Sequence, residues 1–178
     1  MRYASHRVGF YIFAFVLVLA LAILFLFGTS TINTQRRLKY ARLLADLEDG
    51  TESLKKLFGD LPFLGAKKNF ASPLSMETIE SLLQQLKAEP FEASGISILD
   101  FKTLPSFCFC IVTISKTQVT YVPGGGETFS VDLNNYDVWR LQLGPDLKKM
   151  MITSTKKEDN KSKAAATAFC NALMGKIG

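Results

Sequence analysis

The sequence predicts an α+β protein: an N-terminal transmembrane helix that continues into an amphipathic helix, then a small domain with an antiparallel β-sheet and packed helices. Three observations support this class. The run from Phe10 to Phe27 is wholly apolar, apolar residues at helical spacing follow it, and β-branched and aromatic residues dominate beyond Gly95. Helices followed by a run of strands are typical of an α+β fold. The predicted organisation is a short basic leader or cytoplasmic tail (1–9), a transmembrane helix (10–28), an amphipathic helical stalk (29–62) and a globular domain (63–178).

The apolar run has no charged residue and no proline. A helix over it is about 27 Å long, close to the ~30 Å hydrocarbon core of a bilayer. A cleavable secretory signal usually has a shorter apolar region, about 7 to 15 residues, that ends at a small-residue site. Residues 28–30 offer such a site, so cleavage stays an alternative, but the length favours a retained anchor. The predicted anchor residues are Phe10, Phe15, Leu19, Ile23 and Phe27.

Positive charge is concentrated around this run. Six basic and no acidic residues precede Asp46, which leaves 15 basic against 16 acidic residues in the remainder. The basic residues are Arg2, Arg7, Arg36, Arg37, Lys39 and Arg42. A nucleic-acid partner is not expected, because it requires a basic face on the folded domain, whereas the flanking arginines suit lipid headgroups.

Orientation follows from two opposing signals. The basic residues after the run favour a cytoplasmic domain, whereas the cysteines and the tendency of long domains to be translocated favour an exported one. We expect a single-pass protein of the inner (cytoplasmic) membrane with its domain on the exported side.

The segment after the apolar run keeps one apolar helix face. The residues on this face are Tyr40, Leu44, Leu47, Leu54, Phe58 and Leu61, and Asp49-Gly50 is the weak point of the helix. Residues 62–71 are predicted to form a loop. Ser75 to Lys87 should form an amphipathic helix, with Ile79, Leu82, Leu83 and Leu86 facing the core.

The remaining elements are strands and a closing helix. "GISILDF" and "SFCFCIVTIS" are predicted strands, and the second is apolar on both faces, which is typical of a central strand. Two short strands, Val119 to Val122 and Phe129 to Leu133, flank "PGGGE" as a hairpin. This glycine-rich loop leads into a strand rather than a helix, which argues against a phosphate cradle. "DVWRLQL" and "KMMITST" add strands, and Lys163 to Lys176 forms the closing helix.

Chemical motifs are absent from the predicted domain. The single histidine, His6, precedes the apolar run, no serine lies in a nucleophile elbow, and no carboxylate pair lies on an apolar strand. We therefore expect a protein that is not an enzyme, with no catalytic residues, no cofactor and no metal site.

The three cysteines leave two interpretations open. Cys108 and Cys110 project from one face of one strand, roughly 6.6 Å apart along it, which is a poor geometry for a direct bridge. Either one is expected to reach Cys170 if the last helix packs on that face, in a disulfide across a long loop. Alternatively, all three are small buried apolar residues in a reducing compartment.

The order of these segments resembles that of type IV pilin and pseudopilin precursors. A short basic leader ends in "HRVG", Phe10 opens the apolar helix, and a strand-rich domain with a cysteine near the C-terminus follows. The resemblance implies peptidase cleavage between Gly9 and Phe10 and packing of the helix in the core of a filament. Ala14 occupies the fifth mature position, where the family usually has Glu, so a minor subunit is implied rather than a major one.

The expected function is that of a membrane-anchored assembly subunit, either a minor pilin-like or pseudopilin-like component of a type IV pilus or secretion machine, or a bitopic accessory or scaffold subunit of another envelope complex. The expected partners are the lipid bilayer and other protein subunits, through the helix and stalk. A lipid- or small-ligand-binding module is a third hypothesis.

Overall fold

The computed structural model describes residues 3–47, 63–87, 90–91, 94–121, 128–154 and 160–178. In these ranges the helices are α1 (Tyr3–Asp46), α2 (Met76–Gln85) and α3 (Asn160–Ile177). The strands are β1 (Phe63–Asn69), β2 (Pro90–Phe91), β3 (Ile96–Leu104), β4 (Cys108–Tyr121), β5 (Phe129–Leu143) and β6 (Lys149–Ser154). They form one six-stranded antiparallel sheet in the order β1-β6-β5-β4-β3-β2. The chain divides into two compact units, Met1–Leu38 and Lys39–Gly178.

The N-terminal region corrects the predicted fold class in one respect. Crossing a bilayer takes about 20 consecutive, predominantly apolar residues. No helix in the described part of the chain is both long enough and apolar enough to make that crossing. The predicted transmembrane helix at 10–28 is therefore wrong.

The observed helix is continuous across the boundary predicted at residue 28. Thr31 and Thr34 donate their hydroxyl hydrogen bonds back to the carbonyls of Phe27 and Ser30, at 2.9 Å each. Because both threonine hydroxyls bond to carbonyls of the same helix, they do not compete with the helical hydrogen bonds of the backbone. α1 consequently extends over 44 residues. The rest of the predicted stalk, 48–62, lies outside the described residues.

The central hairpin is longer than predicted. β4 and β5 pair from Cys108↔Gln142 to Tyr121↔Phe129, so each strand joins two segments that the sequence suggested were separate. The polar residues between those segments, such as Thr117 and Asn135, are accommodated because Asn135 Nδ2 donates to Thr117 Oγ1 across the pair at 2.5 Å. The predicted "PGGGE" loop lies outside the described residues.

β1 lies where a loop was predicted. Its pairing with β6 contains an irregularity between Leu64 and Ala66, which interrupts the period-two pattern that identifies a strand. Gly65 lies at this irregularity, and a Cβ built on it would be 2.7 Å from Cys170 Sγ and 3.2 Å from the Trp139 ring. The close approach of β1 to these two side chains therefore requires glycine.

The sheet has a buried core on each face, because residues along a strand alternate between faces. The α2–α3 core packs those two helices on one face and includes Phe109, Ile111, Trp139, Leu141 and Phe169. The α1 core packs the last turns of α1 on the other face. It includes Cys108, Cys110, Val112, Tyr136 and Val138 from the sheet, with Leu44 and Leu47 against them. α2 begins after Ser75, whose hydroxyl accepts from the Thr78 N–H.

Candidate functional site

The cysteines lie in two separate environments. Cys108 and Cys110 belong to the α1 core, whereas Cys170 belongs to the α2–α3 core on the opposite face of the sheet. All three are buried and free. The predicted disulfide between Cys170 and Cys108 or Cys110 is therefore not formed in the structure. It required the closing helix to pack on the Cys108 and Cys110 face, whereas α3 packs on the face of Phe109 and Ile111.

Burial makes these thiols poor nucleophiles. Loss of solvation raises the pKa of Cys110, and that of Cys170, from 9.0 to about 12. Burial also raises the pKa of Cys108, although a hydrogen bond and the positive charge from Arg140 act in the opposite direction. Since the thiolate is the reactive form, the observed positions suit packing rather than covalent chemistry.

A polar cluster surrounds Arg140 on the α1 face of the sheet. Arg140 is paired in register with Cys110 on one side and Thr153 on the other. Its Nη2 donates to Gln142 Oε1 at 2.7 Å. Arg140 Nε and Thr153 Oγ1 are buried and have no hydrogen-bond partner among the described residues. The cluster connects the core to the β3–β4 turn, because Gln142 Nε2 donates to the Ser106 carbonyl at 2.5 Å.

Sequence reasoning did not single out Arg140. Its isolation is the available signal, since it is the only arginine after Arg42 and lies within the apolar pattern of "DVWRLQL". A partly buried arginine on an apolar strand has to find hydrogen-bond acceptors, so such a residue marks a polar network. Among the described residues, no group of three or more His, Cys, Asp or Glu side chains is arranged to hold a metal ion.

The predicted anchor residues are the most distinctive surface of α1. Phe15, Leu19, Ile23 and Phe27 are separated by four residues each and thus follow one face of the helix. Their side chains are exposed, from 45% for Ile23 to 70% for Phe27. Phe10 is both a predicted anchor residue and half of the predicted Gly9–Phe10 processing site. Its side chain lies outside the part of the chain that the structure describes.

The exposure extends beyond one face. Between Phe13 and Phe27 the exposed large apolar side chains are Phe13, Phe15, Val16, Leu17, Val18, Leu19, Leu21, Ile23 and Phe27. Monomeric soluble proteins seldom expose contiguous apolar patches larger than a few hundred Å². This segment, which we call the apolar segment of α1, is consequently the strongest candidate interaction surface in the described residues.

Comparison of the chain with protein-family models, with curated proteins and with solved structures finds no match in any of the three. The function must therefore be inferred from the surfaces and chemistry described above.

Proposed function

We propose that the chain is a non-enzymatic assembly subunit that joins a larger complex through the apolar segment of α1. The specific role we favour is that of a minor pilin-like or pseudopilin-like component of a type IV pilus or secretion machine. The observation that carries the proposal is the unbroken exposure of large apolar side chains from Phe15 to Leu19.

The proposed occupant of this surface is the same helix of a neighbouring copy. Burial of apolar surface contributes about 25 cal/mol per Å², so a side chain such as Phe15 or Leu19 favours association when a neighbour covers it. The i, i+4 row from Phe15 to Phe27 forms a ridge of the kind that packs into the groove of a second helix. Because apolar residues also occur between these positions, several neighbouring helices can pack around α1 at once.

The two parts of α1 support the same proposal. Leu44 and Leu47 are buried in the α1 core, which attaches the end of the helix to its own domain. The apolar segment is the part of the described helix that is available for partners. A carboxylate is missing at Ala14, so apolar packing has to supply the association that the family usually reinforces with a charge contact.

Site-directed crosslinking tests the assembly. In the full chain, Leu19→Cys introduces a thiol on the apolar segment, and a short bismaleimide should link two copies through it. The native cysteines are buried and should contribute little. Thr120→Cys, at an exposed position on β4, is the matched control and should give no crosslinked dimer. Equal crosslinking at both positions, or none at position 19, would contradict the proposal.

Peptidase processing separates the pilin-like role from the alternative of an accessory or scaffold subunit. Co-expression with a type IV prepilin peptidase should remove residues 1–9 and leave Phe10 as the N-terminus, which intact-mass spectrometry detects directly. Gly9→Val should block the cleavage. An unprocessed wild-type chain that still crosslinks at position 19 would exclude the pilin-like role and favour the accessory subunit.

A further inference from the structure

A second surface lies on the domain itself. A groove of about 660 Å³ is formed where β1, β6 and β5 meet the turn after β3. Lys67, Met151 and Gln142 are register neighbours across these three strands and face away from the α2–α3 core. Lys149 and Phe107 also line this surface, which we call the lysine groove.

The groove is positively charged and partly apolar. Its described lining includes Lys67, Lys68 and Lys149 but no Asp or Glu. Lys68 already has a structural role, because its Nζ donates to the carbonyls of Met174 and Gly178 at the end of α3. Lys67 and Lys149 are exposed, and neither forms an ion pair with another residue in the described part of the chain. An anionic ligand with an apolar portion is complementary to this lining.

Protection of a sheet edge does not account for both lysines. An edge lysine discourages unwanted strand pairing, which suits Lys67 on the outermost strand β1. Lys149, however, lies on β6, which is paired on both sides. Edge protection thus accounts for the charge of Lys67 but not for that of Lys149.

The wall of the groove carries an unusual residue. Ser106 and Phe107 both have left-handed backbone angles, with φ of 60° and 56°. Glycine or asparagine is preferred in such a conformation, and a bulky residue there is an outlier that points toward function. The turn is held by the Leu143 N–H, which donates to the Phe107 carbonyl at 2.9 Å. Phe107 nevertheless leaves 44% of its side chain exposed beside the lysines.

We infer that the lysine groove docks an extended acidic segment of a partner protein. The outer edge of β1 has no strand partner within the described residues, so an extended chain can add to it by backbone hydrogen bonds. Alternate side chains of that segment then face the groove, where a carboxylate meets Lys67 and Lys149. An apolar side chain packs against Phe107 and Met151.

Fluorescence anisotropy on the full chain in mild detergent tests this inference. The probe is a labelled peptide of about seven residues in which glutamate alternates with isoleucine, long enough for one strand. Lys67→Glu and Lys149→Glu should each weaken binding by about tenfold, since each replaces an attraction with a repulsion. Lys116→Glu carries the same charge change outside the groove and should leave the affinity unchanged.

Two further binding measurements identify the chemical class of the ligand. Backbone N-methylation of alternate peptide residues should abolish binding, because it blocks strand addition. A medium-chain fatty acid, which offers a carboxylate without a peptide backbone, should not compete. Competition by the fatty acid together with tolerance of N-methylation would overturn the peptide assignment.

Phe107→Asn separates binding from folding. Asparagine suits the left-handed backbone, so the variant should unfold at the same temperature as the wild type or higher. Its peptide affinity should nevertheless fall by about fivefold as the apolar contact is lost. Unchanged affinity in Phe107→Asn and in both lysine variants would refute the groove without affecting the assembly proposed for α1.

Discussion

The two faces of the sheet are covered by different parts of the chain and have different chemistry. On the α2–α3 face, Trp139 and Phe169 pack with ring centroids 5.1 Å apart, and Phe91 meets Phe169 edge-on at 5.2 Å. On the α1 face, Tyr40 stacks on Tyr136 at 5.2 Å, and Arg140 lies opposite Cys110 on the neighbouring strand. The first face is mainly aromatic and aliphatic, and its buried Thr113 hydroxyl accepts a hydrogen bond from Trp139 Nε1 at 2.9 Å. The second face also carries a charged residue, Arg140.

The difference shows how α1 is attached. Lys102 Nζ donates to the Ala45 carbonyl at 3.1 Å, where the last carbonyls of the helix need donors and a positive charge is favourable. Together with Leu44 and Leu47, this bond attaches the last turns of α1. Among the described residues the α2–α3 face contains the larger set of buried apolar side chains, and the α1 face holds the end of the helix that we propose to assemble with partners.

Removing a side chain from the α2–α3 face should have the largest effect. Phe109→Ala should lower the free energy of unfolding by about 3 to 5 kcal/mol, because Phe109 is fully buried beneath the helices. Urea denaturation followed by Trp139 fluorescence measures the loss. Val119→Ala, at a 47% exposed position of the same strand, should change stability by less than about 0.5 kcal/mol. A loss below about 1 kcal/mol in Phe109→Ala would contradict a central, doubly covered strand.

The corresponding change on the α1 face tests the attachment of the helix. Leu44→Ala should cost about 2 to 4 kcal/mol, since Leu44 is 5% exposed and packs in the α1 core. Leu38→Ala, at a 52% exposed position of the same helix, is the control and should cost less than about 0.5 kcal/mol. Equal stabilities of the two variants would mean that the last turns of α1 do not hold the helix on the sheet.

Much of the sheet was predictable because its strands follow simple patterns. "SFCFCIVTIS" alternates two apolar sets, so its central position and its two covered faces follow from the residues alone. The α2 helix follows equally well from Ile79 and Leu83 at i and i+4, and both are buried.

Other features depend on contacts between distant segments. β1 has two lysines, a glycine and an irregular register, so only its pairing with β6 identifies it as a strand. The face chosen by α3 also could not be deduced, because both faces of β4 are apolar and both accept a helix. The predicted disulfide depended on that choice. Lys67, Lys149 and Phe107 come together from three separate segments, which leaves the lysine groove without any local sequence signal.

Gly65 offers a sharper test of the α2–α3 face. Gly65→Ala should lower the free energy of unfolding by about 1 to 3 kcal/mol, because the new methyl group would lie 2.7 Å from Cys170 Sγ. Cys170→Ala removes that sulfur, so the two changes should couple favourably by at least about 0.5 kcal/mol in a double-mutant cycle. Rescue should be partial, since the Ile152 carbonyl would remain 3.1 Å away. Strict additivity would show that Cys170 does not limit the space at Gly65.

The smallest expected effect is the pH dependence of stability that one buried thiol on each face produces. Burial raises the pKa of Cys110 on the α1 face and of Cys170 on the α2–α3 face from 9.0 to about 12. Between these values the unfolded thiol has lost its proton while the folded thiol keeps it, so the unfolded state binds fewer protons and stability falls as pH rises. Each thiol should therefore lower the free energy of unfolding by about 1.4 kcal/mol per pH unit between these two pKa values.

Urea denaturation at about pH 8 and pH 10 measures this loss, and comparison with alanine variants isolates each thiol from the other groups that titrate in this range. Cys110→Ala and Cys170→Ala should each remove a similar part of the pH dependence, although the two faces differ in composition, because loss of solvation dominates at both sites. If only Cys170→Ala flattens the profile, Cys110 is accessible to water and the α1 face is less tightly covered than the α2–α3 face. Since Leu44 and Leu47 pack on that face, such a result would weaken the attachment on which the proposed assembly depends.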